Sequence, residues 1–305
     1  MRNVLHVALV ASVALAGCGG KSLTEPSAMP GSTIPPTPIT DPISVAPGSP
    51  QIFVGAGDIA ACDSNSQATA RLLDGIGGTV FTLGDNAYFS GSARDFRDCY
   101  DPTWGRHRDR TRPVPGNHDY ETAGASAYFD YFGANAGPAG VGYYSFDIGS
   151  WHAVALNSNL PAGAGSAQAA WLASDLDLHP ARCTIAYFHH PLFTSGPDGP
   201  TPAMREVWRI LYSAGAEIVM NGHEHYYERF APQNPNGGAD PTNGIRQFIA
   251  GTGGAPLYGA VSVQPNSEVR FSAFGVLKLT LASSGYTWDF VPVSGPLDSG
   301  SASCH

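Results

Sequence analysis

Five short clusters of potential ligands punctuate this sequence, each at the end of an apolar run. Ile52-Phe53-Val54 leads to Gly57-Asp58, Thr79–Leu83 to Gly84-Asp85-Asn86-Ala87-Tyr88, and Arg112–Pro115 to Gly116-Asn117-His118-Asp119. Thr184–Phe188 leads to His189-His190, and Glu217–Met220 to Gly222-His223-Glu224-His225. Five of the ten histidines fall here beside carboxylates, an amide and a phenol, with no cysteine among them. Neutral imidazole with oxygen donors suits first-row transition metals. A carboxylate can bridge two cations, which suits a pair of metals roughly 3.5–4 Å apart. Glycine ahead of most clusters lets the backbone turn sharply off a strand and aim the next side chain into a cavity. His223 and His225, two apart on an extended segment, face the same way.

The runs that carry these clusters read as strands, with helical patterns between several of them, as over Ala167–Asp177 and Ala203–Ser213. Pro202 stands where a first-turn proline is tolerated, and Gly215 where a helix should stop. Strands alternating with helices, polar residues at the strand ends, predict an α/β sheet with its site at the carboxyl edge. After Gly244 the pattern turns strand-rich, with Ile245–Ala250, Gly275–Leu281 and Tyr286–Val293 too close together for intervening helices. That predicts a second sheet, with the two sheets packed inside and helices outside.

These clusters, taken in order, resemble the signature of the calcineurin-like metallophosphoesterases, and Tyr88, three residues after Asp85, matches the purple acid phosphatase branch. Tyr143–Asp147 and Leu156-Asn157-Ser158 are similar to bacterial members. The resemblance spans about Phe53 to Gly254 and implies a four-layer αββα sandwich with a dinuclear centre. It places Asp58, Asp85, Tyr88 and His225 on the first metal, and Asp85, as a bridge, with Asn117, His189 and His223 on the second. It also implies a ferric ion at the first site, with ferrous iron, zinc or manganese at the second. Ala60 departs from the branch, which has glycine there. The branch often carries a further histidine soon after His189, whereas here none follows His190 until His223.

The expected reaction is phosphate-ester hydrolysis, acid-phosphatase-like, by water that the cations acidify, attacking phosphorus in line. Phosphodiester or nucleotide hydrolysis at the same centre is the alternative. His118 is the candidate to protonate the leaving oxygen or contact phosphate, with Asp119 to orient it. His190 reads equally as a substrate contact or as support for the ligands. Arg229 is a candidate phosphate contact, Glu224 is expected at the surface or behind the ligands, and Tyr88 could also be a core aromatic. A nucleophilic-serine mechanism lacks its Gly-x-Ser-x-Gly elbow anywhere in the chain. A non-catalytic binding protein would not need a full ligand set.

The ends carry other information. Arg2, the apolar stretch from Val4 to Ala16 and Leu15-Ala16-Gly17-Cys18 read as a secretory signal ending in a lipobox. Lipidation at Cys18 is expected, making the chain an exported bacterial lipoprotein of the cell envelope, held to the membrane by lipid alone. Residues 19–50 carry eight prolines among Ser, Thr and Gly and read as an extended tether. The working domain is expected over 51–294, with 295–305 as a tail. The other four cysteines form an even set for an oxidising compartment, and the positions of their strands suggest Cys62–Cys99 and Cys183–Cys304 among three possible pairings. Of 305 residues, 16 are Lys or Arg and 25 Asp or Glu, a net charge of −9 that argues against a nucleic-acid partner. A 43% hydrophobic content excludes a disordered chain.

Overall fold

The computed structural model describes residues 48–305, so the signal segment, Cys18 and the tether to residue 47 lie outside the described residues. Thirteen strands are present among them: β1 Gln51–Ala56, β2 Thr79–Leu83, β3 Thr111–Val114, β4 Tyr144–Ile148, β5 Trp151–Ala155, β6 Cys183–Tyr187 and β7 Ile218–Asn221. β8 Tyr227–Phe230, β9 Arg246–Ala250, β10 Ser267–Phe271, β11 Gly275–Ala282, β12 Gly285–Pro292 and β13 Asp298–Ser303 complete them. The α-helices are α1 Ser64–Asp74, α2 Ala93–Asp95, α3 Asn117–Tyr120, α4 Ser126–Phe132, α5 Ala167–Leu178 and α6 Arg205–Ser213. Asp63 caps α1 through the backbone N–H groups of Asn65 and Ser66, and Ser166 caps α5 through that of Ala169.

Two mixed sheets face each other, in the orders β13-β12-β11-β1-β2-β3 and β10-β8-β9-β7-β6-β5-β4. Period-two alternation sorts their side chains into layers. Phe53, Phe81, Ile185, Tyr187, Met220, Leu277 and Leu279 point between the sheets. Their neighbours Val54, Val80 and Val276 pack outward with α1 and α4, and Ala186, Phe188 and Val219 with α5 and α6. The result is the four-layer αββα sandwich, with no helix among the described residues long and apolar enough to cross a membrane.

The strands are not divided between the sheets as their order along the chain suggests. β1, β2 and β3 are parallel in the first sheet, while β5, β6, β7 and β9 are parallel in the second. Of the late strands, β9 joins β7, whereas β11 pairs antiparallel with β1, Gln51 opposite Leu281. Alternation tells which face of a strand is buried but not which edge it will meet. Residues 298–303, expected in a tail, form β13 against β12. Cys183 on β6 and Cys304 just after β13 are disulfide-bonded across the two sheets, and Cys62 is bonded to Cys99.

Candidate metal centre

The parallel strands of both sheets release their carboxyl ends at one place. The loops there are stitched together by backbone hydrogen bonds: Asp58 N–H to Gly84 O, Gly57 N–H to Ala250 O, and Gly222 N–H to His189 O. Asp58, Asp85 and His223 have φ of 58°, 49° and 72°, the left-handed region that non-glycine residues avoid. Three such residues at one locus is the pattern of strain held where geometry is functional. The space is cut to fit. A Cβ on Gly251 would lie 2.6 Å from Asp58 Oδ2, and one on Gly116 2.1 Å from Asp85 Oδ1.

Seven of the expected side chains converge as two overlapping groups. In the first, Tyr88 OH lies 3.1 Å from Asp58 Oδ1, 3.1 Å from Asp85 Oδ2 and 3.0 Å from His225 Nε2. In the second, His189 Nε2 lies 2.9 Å from Asn117 Oδ1, 3.3 Å from His223 Nδ1 and 3.4 Å from Asp85 Oδ2. Asp85 Oδ2 is thus common to both. A phenol, two carboxylate oxygens and an imidazole nitrogen meet in the first group, and an amide oxygen, two imidazole nitrogens and the shared carboxylate oxygen in the second, donor sets that fit two cations.

The surrounding backbone fixes which atom of each ligand faces inward. His189 Nδ1–H donates to Leu83 O at 2.7 Å, and His225 Nδ1–H to Pro256 O at 2.9 Å, leaving both Nε2 atoms turned inward. Asp85 Oδ1 accepts from His118 N–H at 2.8 Å, and Asp58 Oδ2 from His223 N–H at 2.9 Å. Burial opposes charge on His189 and His225, yet the Asp85 and Asp58 carboxylates outweigh it and raise both to about 9. His223, buried beside the His189 imidazole, is lowered to about 4. Burial and the flanking carboxylates Asp58 and Asp85 push the Tyr88 phenol well above its ordinary value.

Around these ligands the structure redistributes several roles. His118 stands beside Tyr88, ring centroids 4.5 Å apart, with Nε2 3.9 Å from Asp85 Oδ2 and Nδ1 2.6 Å from Phe89 O. The Phe89 carbonyl, and not Asp119, therefore orients it. Asp119 is buried and turns away, accepting from Gly116 N–H, Asn86 N–H and Asn86 Nδ2, because its position in the first turn of α3 aims its carboxylate back at that helix's start. It braces the Asp85 and Asn117 loops against each other, and burial with the nearby Asp85 charge raises it to about 7. His190 lies against His223, centroids 4.5 Å apart, with Nδ1 2.8 Å from Ser158 Oγ.

Arg229 does not reach the centre. Its guanidinium is engaged by Asp298 on β13 and by Glu268 on β10, and lies over the Trp288 ring. It shares the inter-sheet face of β8 with Tyr227, which donates to the same Asp298 carboxylate, and these partners come from segments whose proximity is set only by the fold. Glu224, expected outside or behind the ligands, is fully buried behind them, where Oε1 accepts from Thr194 Oγ1 and Gly199 N–H. Tyr258 was not singled out by any motif, yet it stacks on His225 at 5.0 Å and 19°, its hydroxyl 2.6 Å from Asp198 Oδ2 and 3.0 Å from His223 O. A second cluster, His152, Asp175 and His179, lies apart from the centre. Its two imidazoles are nearly parallel, 11° and 5.0 Å apart, so their in-plane lone pairs do not meet at one point. With Asp147 it is an ion-paired network fastening α5 to β5.

Comparison with known proteins agrees with this geometry. Residues 45–227 match the family described as calcineurin-like phosphoesterase. Purple acid phosphatase 21 of Arabidopsis thaliana is 31% identical over 73% of this chain and 55% of its own length. Purple acid phosphatase 15 of the same plant is 27% identical over 62% and 43%. The chain thus spans about half the length of the curated relatives it matches. Among solved structures, a purple acid phosphatase from yellow lupin (Lupinus luteus) seeds superposes with a TM-score of 0.67 at 20% identity, covering 85% of this chain and 55% of that one.

Proposed function

Since the chain belongs to the calcineurin-like phosphoesterase family, in its purple acid phosphatase-like branch, we propose that it hydrolyses phosphate monoesters at a dinuclear metal centre. The observation that carries this reading is the pair of donor groups joined at Asp85 Oδ2. In this reading Asp58, Asp85, Tyr88 and His225 hold one cation, and Asp85, Asn117, His189 and His223 the other. Two bound cations would supply the acidity that makes water nucleophilic near neutral pH and would offset charge on the phosphoryl oxygens. A phenolate from Tyr88, 3.1 Å from both Asp58 Oδ1 and Asp85 Oδ2, would be a hard, anionic oxygen donor, which favours ferric iron there.

The chain's own groups do the rest. His118, fixed at Nδ1 by Phe89 O, presents Nε2 to the leaving oxygen as proton donor. Its backbone N–H holds Asp85 Oδ1, which leaves Oδ2 turned to both donor groups. Ser158 Oγ accepts from His190 N–H at 3.0 Å and can donate to His190 Nδ1, which makes His190 Nε2–H a donor for a phosphoryl oxygen. Export and lipidation at Cys18 belong to the same proposal, supported by two disulfides suited to an oxidising compartment.

The test is metal content and turnover together. Purified protein should carry two metals per chain, lose hydrolysis of an aryl phosphate on chelation and regain it on reloading. Asp85→Asn should abolish turnover, and a phosphodiester should be the poorer substrate. Two bound metals with no hydrolysis of any monoester would overturn the reading.

A further inference from the structure

Phe89 is the one aromatic among the large apolar side chains left exposed in the described residues, and it directly follows Tyr88. It is 68% exposed. Single exposed apolar residues are ordinary on a protein surface, but this one is held in place by the machinery of the site. Its carbonyl takes the 2.6 Å hydrogen bond that orients His118, so the backbone that carries its ring and the proton donor are fixed relative to each other. Tyr88 packs against both, with centroids 5.8 Å from Phe89 and 4.5 Å from His118.

The loop that follows is rigid as well. Ser90 donates from both N–H and Oγ to Asp95, Thr122 Oγ1 donates to Ser90 O, and Gly91 N–H donates to Ala87 O. Gly91 lies so close under α3 that a Cβ there would be 2.4 Å from Asp119 Cα. Phe89 is thus exposed from a braced loop that adjoins both Tyr88 and the proposed proton donor.

We propose that Phe89 is a stacking platform for the leaving group, and that this centre prefers phosphomonoesters whose ester oxygen is attached to an aromatic ring directly or through one carbon. The proposal rests on the phosphomonoesterase reading above. An aromatic ring offers a face to Phe89 while its ester oxygen stays within reach of His118, whereas a polyol leaving group has nothing to stack.

The test compares phenyl phosphate with β-glycerophosphate in the metal-loaded protein, for wild type, Phe89→Ala and Phe89→Trp. Taking the ratio of kcat/KM between the two substrates, and then its change on substitution, removes their different intrinsic reactivities. Phe89→Ala should cut that ratio about tenfold, the scale of one aromatic stack, and Phe89→Trp should retain the preference. Phenylphosphonate should likewise lose affinity in Phe89→Ala while methylphosphonate does not, a binding readout that needs no turnover. Equal losses for both substrates and both phosphonates, or no loss for either, would refute the platform while leaving the phosphatase reading intact. A wild type that turns over neither ester with both metals bound would remove that reading and this proposal with it.

Discussion

Adding one methyl group at Gly222 should disable the centre while leaving the fold in place. A Cβ there would lie 2.6 Å from Leu83 O, 2.7 Å from Asp58 Oδ2 and 3.2 Å from His189 Nδ1. Its φ lies outside the left-handed region, so the methyl is the perturbation and backbone strain is not. Ordinary contact starts at 3.4 Å, so Leu83 O must retreat by about 0.8 Å and the Asp58 carboxylate by about 0.7 Å. Both move the site, because Leu83 O holds His189 Nδ1 and Asp58 Oδ1 faces Tyr88. A misplacement near 1 Å costs on the order of 10²-fold in rate, and overpacking a filled interior costs about 1–3 kcal/mol. Gly222→Ala should therefore lose about two orders of magnitude in kcat/KM for an aryl phosphate and bind less metal. A thermal melt would register only the smaller stability loss. Gly163, with no atom within 4 Å of its Cβ position, is the control, and Gly163→Ala should keep rate, metal content and melting temperature. If Gly222→Ala keeps two metals and a rate within about threefold of wild type, the close-cut geometry is not what holds the ligands.

Two further outcomes concern stability. His152 is buried, which disfavours its charge, but Asp175 and Asp147 more than compensate and raise its pKa above the ordinary 6.5. The stabilisation is therefore fully present below pH 6.5 and fades as pH rises through the higher folded value. His152→Gln should cost about 2 kcal/mol in urea unfolding at pH 5.5, with the gap from wild type narrowing at alkaline pH; a gap constant across that range would refute the charged state. The two disulfides close segments of 121 and 37 residues, so the loop-entropy relation gives about 5 kcal/mol for Cys183–Cys304 and about 4 kcal/mol for Cys62–Cys99. Paired Cys→Ala variants should therefore rank in that order in unfolding free energy, and the reverse ranking would count against the entropic account.

The parts of this site visible in the sequence were those written locally. A strand end, a glycine and a ligand lie within a few residues of one another, and the strands carrying Asp85, His189 and His223 lie within one residue of the apolar runs that announced them. Helix α5 likewise starts at Ala167, directly after its capping serine. What could not be read were facts decided by distant segments. Arg229 looked available to phosphate because its partners Glu268 and Asp298 lie 39 and 69 residues away. Asp119 looked like a support for its neighbour His118, but the first turn of α3 sends its carboxylate to Gly116 and Asn86. The carbonyls of Leu83, Phe89 and Pro256, which set the histidine orientations, belong to every residue alike and leave no trace in side-chain identity.

The pairing of β1 with β11 also sets an order for folding. β1 is the first of the described strands along the chain, and it lies inside its sheet, between β2 and a strand some 230 positions later, Gln51 meeting Leu281. Until then one edge of β1 stays unpaired and the face of Phe53 lacks the leucines of β11. The nascent domain cannot close piecemeal from its amino end, and its folding must wait on a long-range contact. The polypeptide should therefore stay protease-sensitive while β11 is missing, as in a chain truncated before residue 275, and turn resistant abruptly once β11 and β12 can pair.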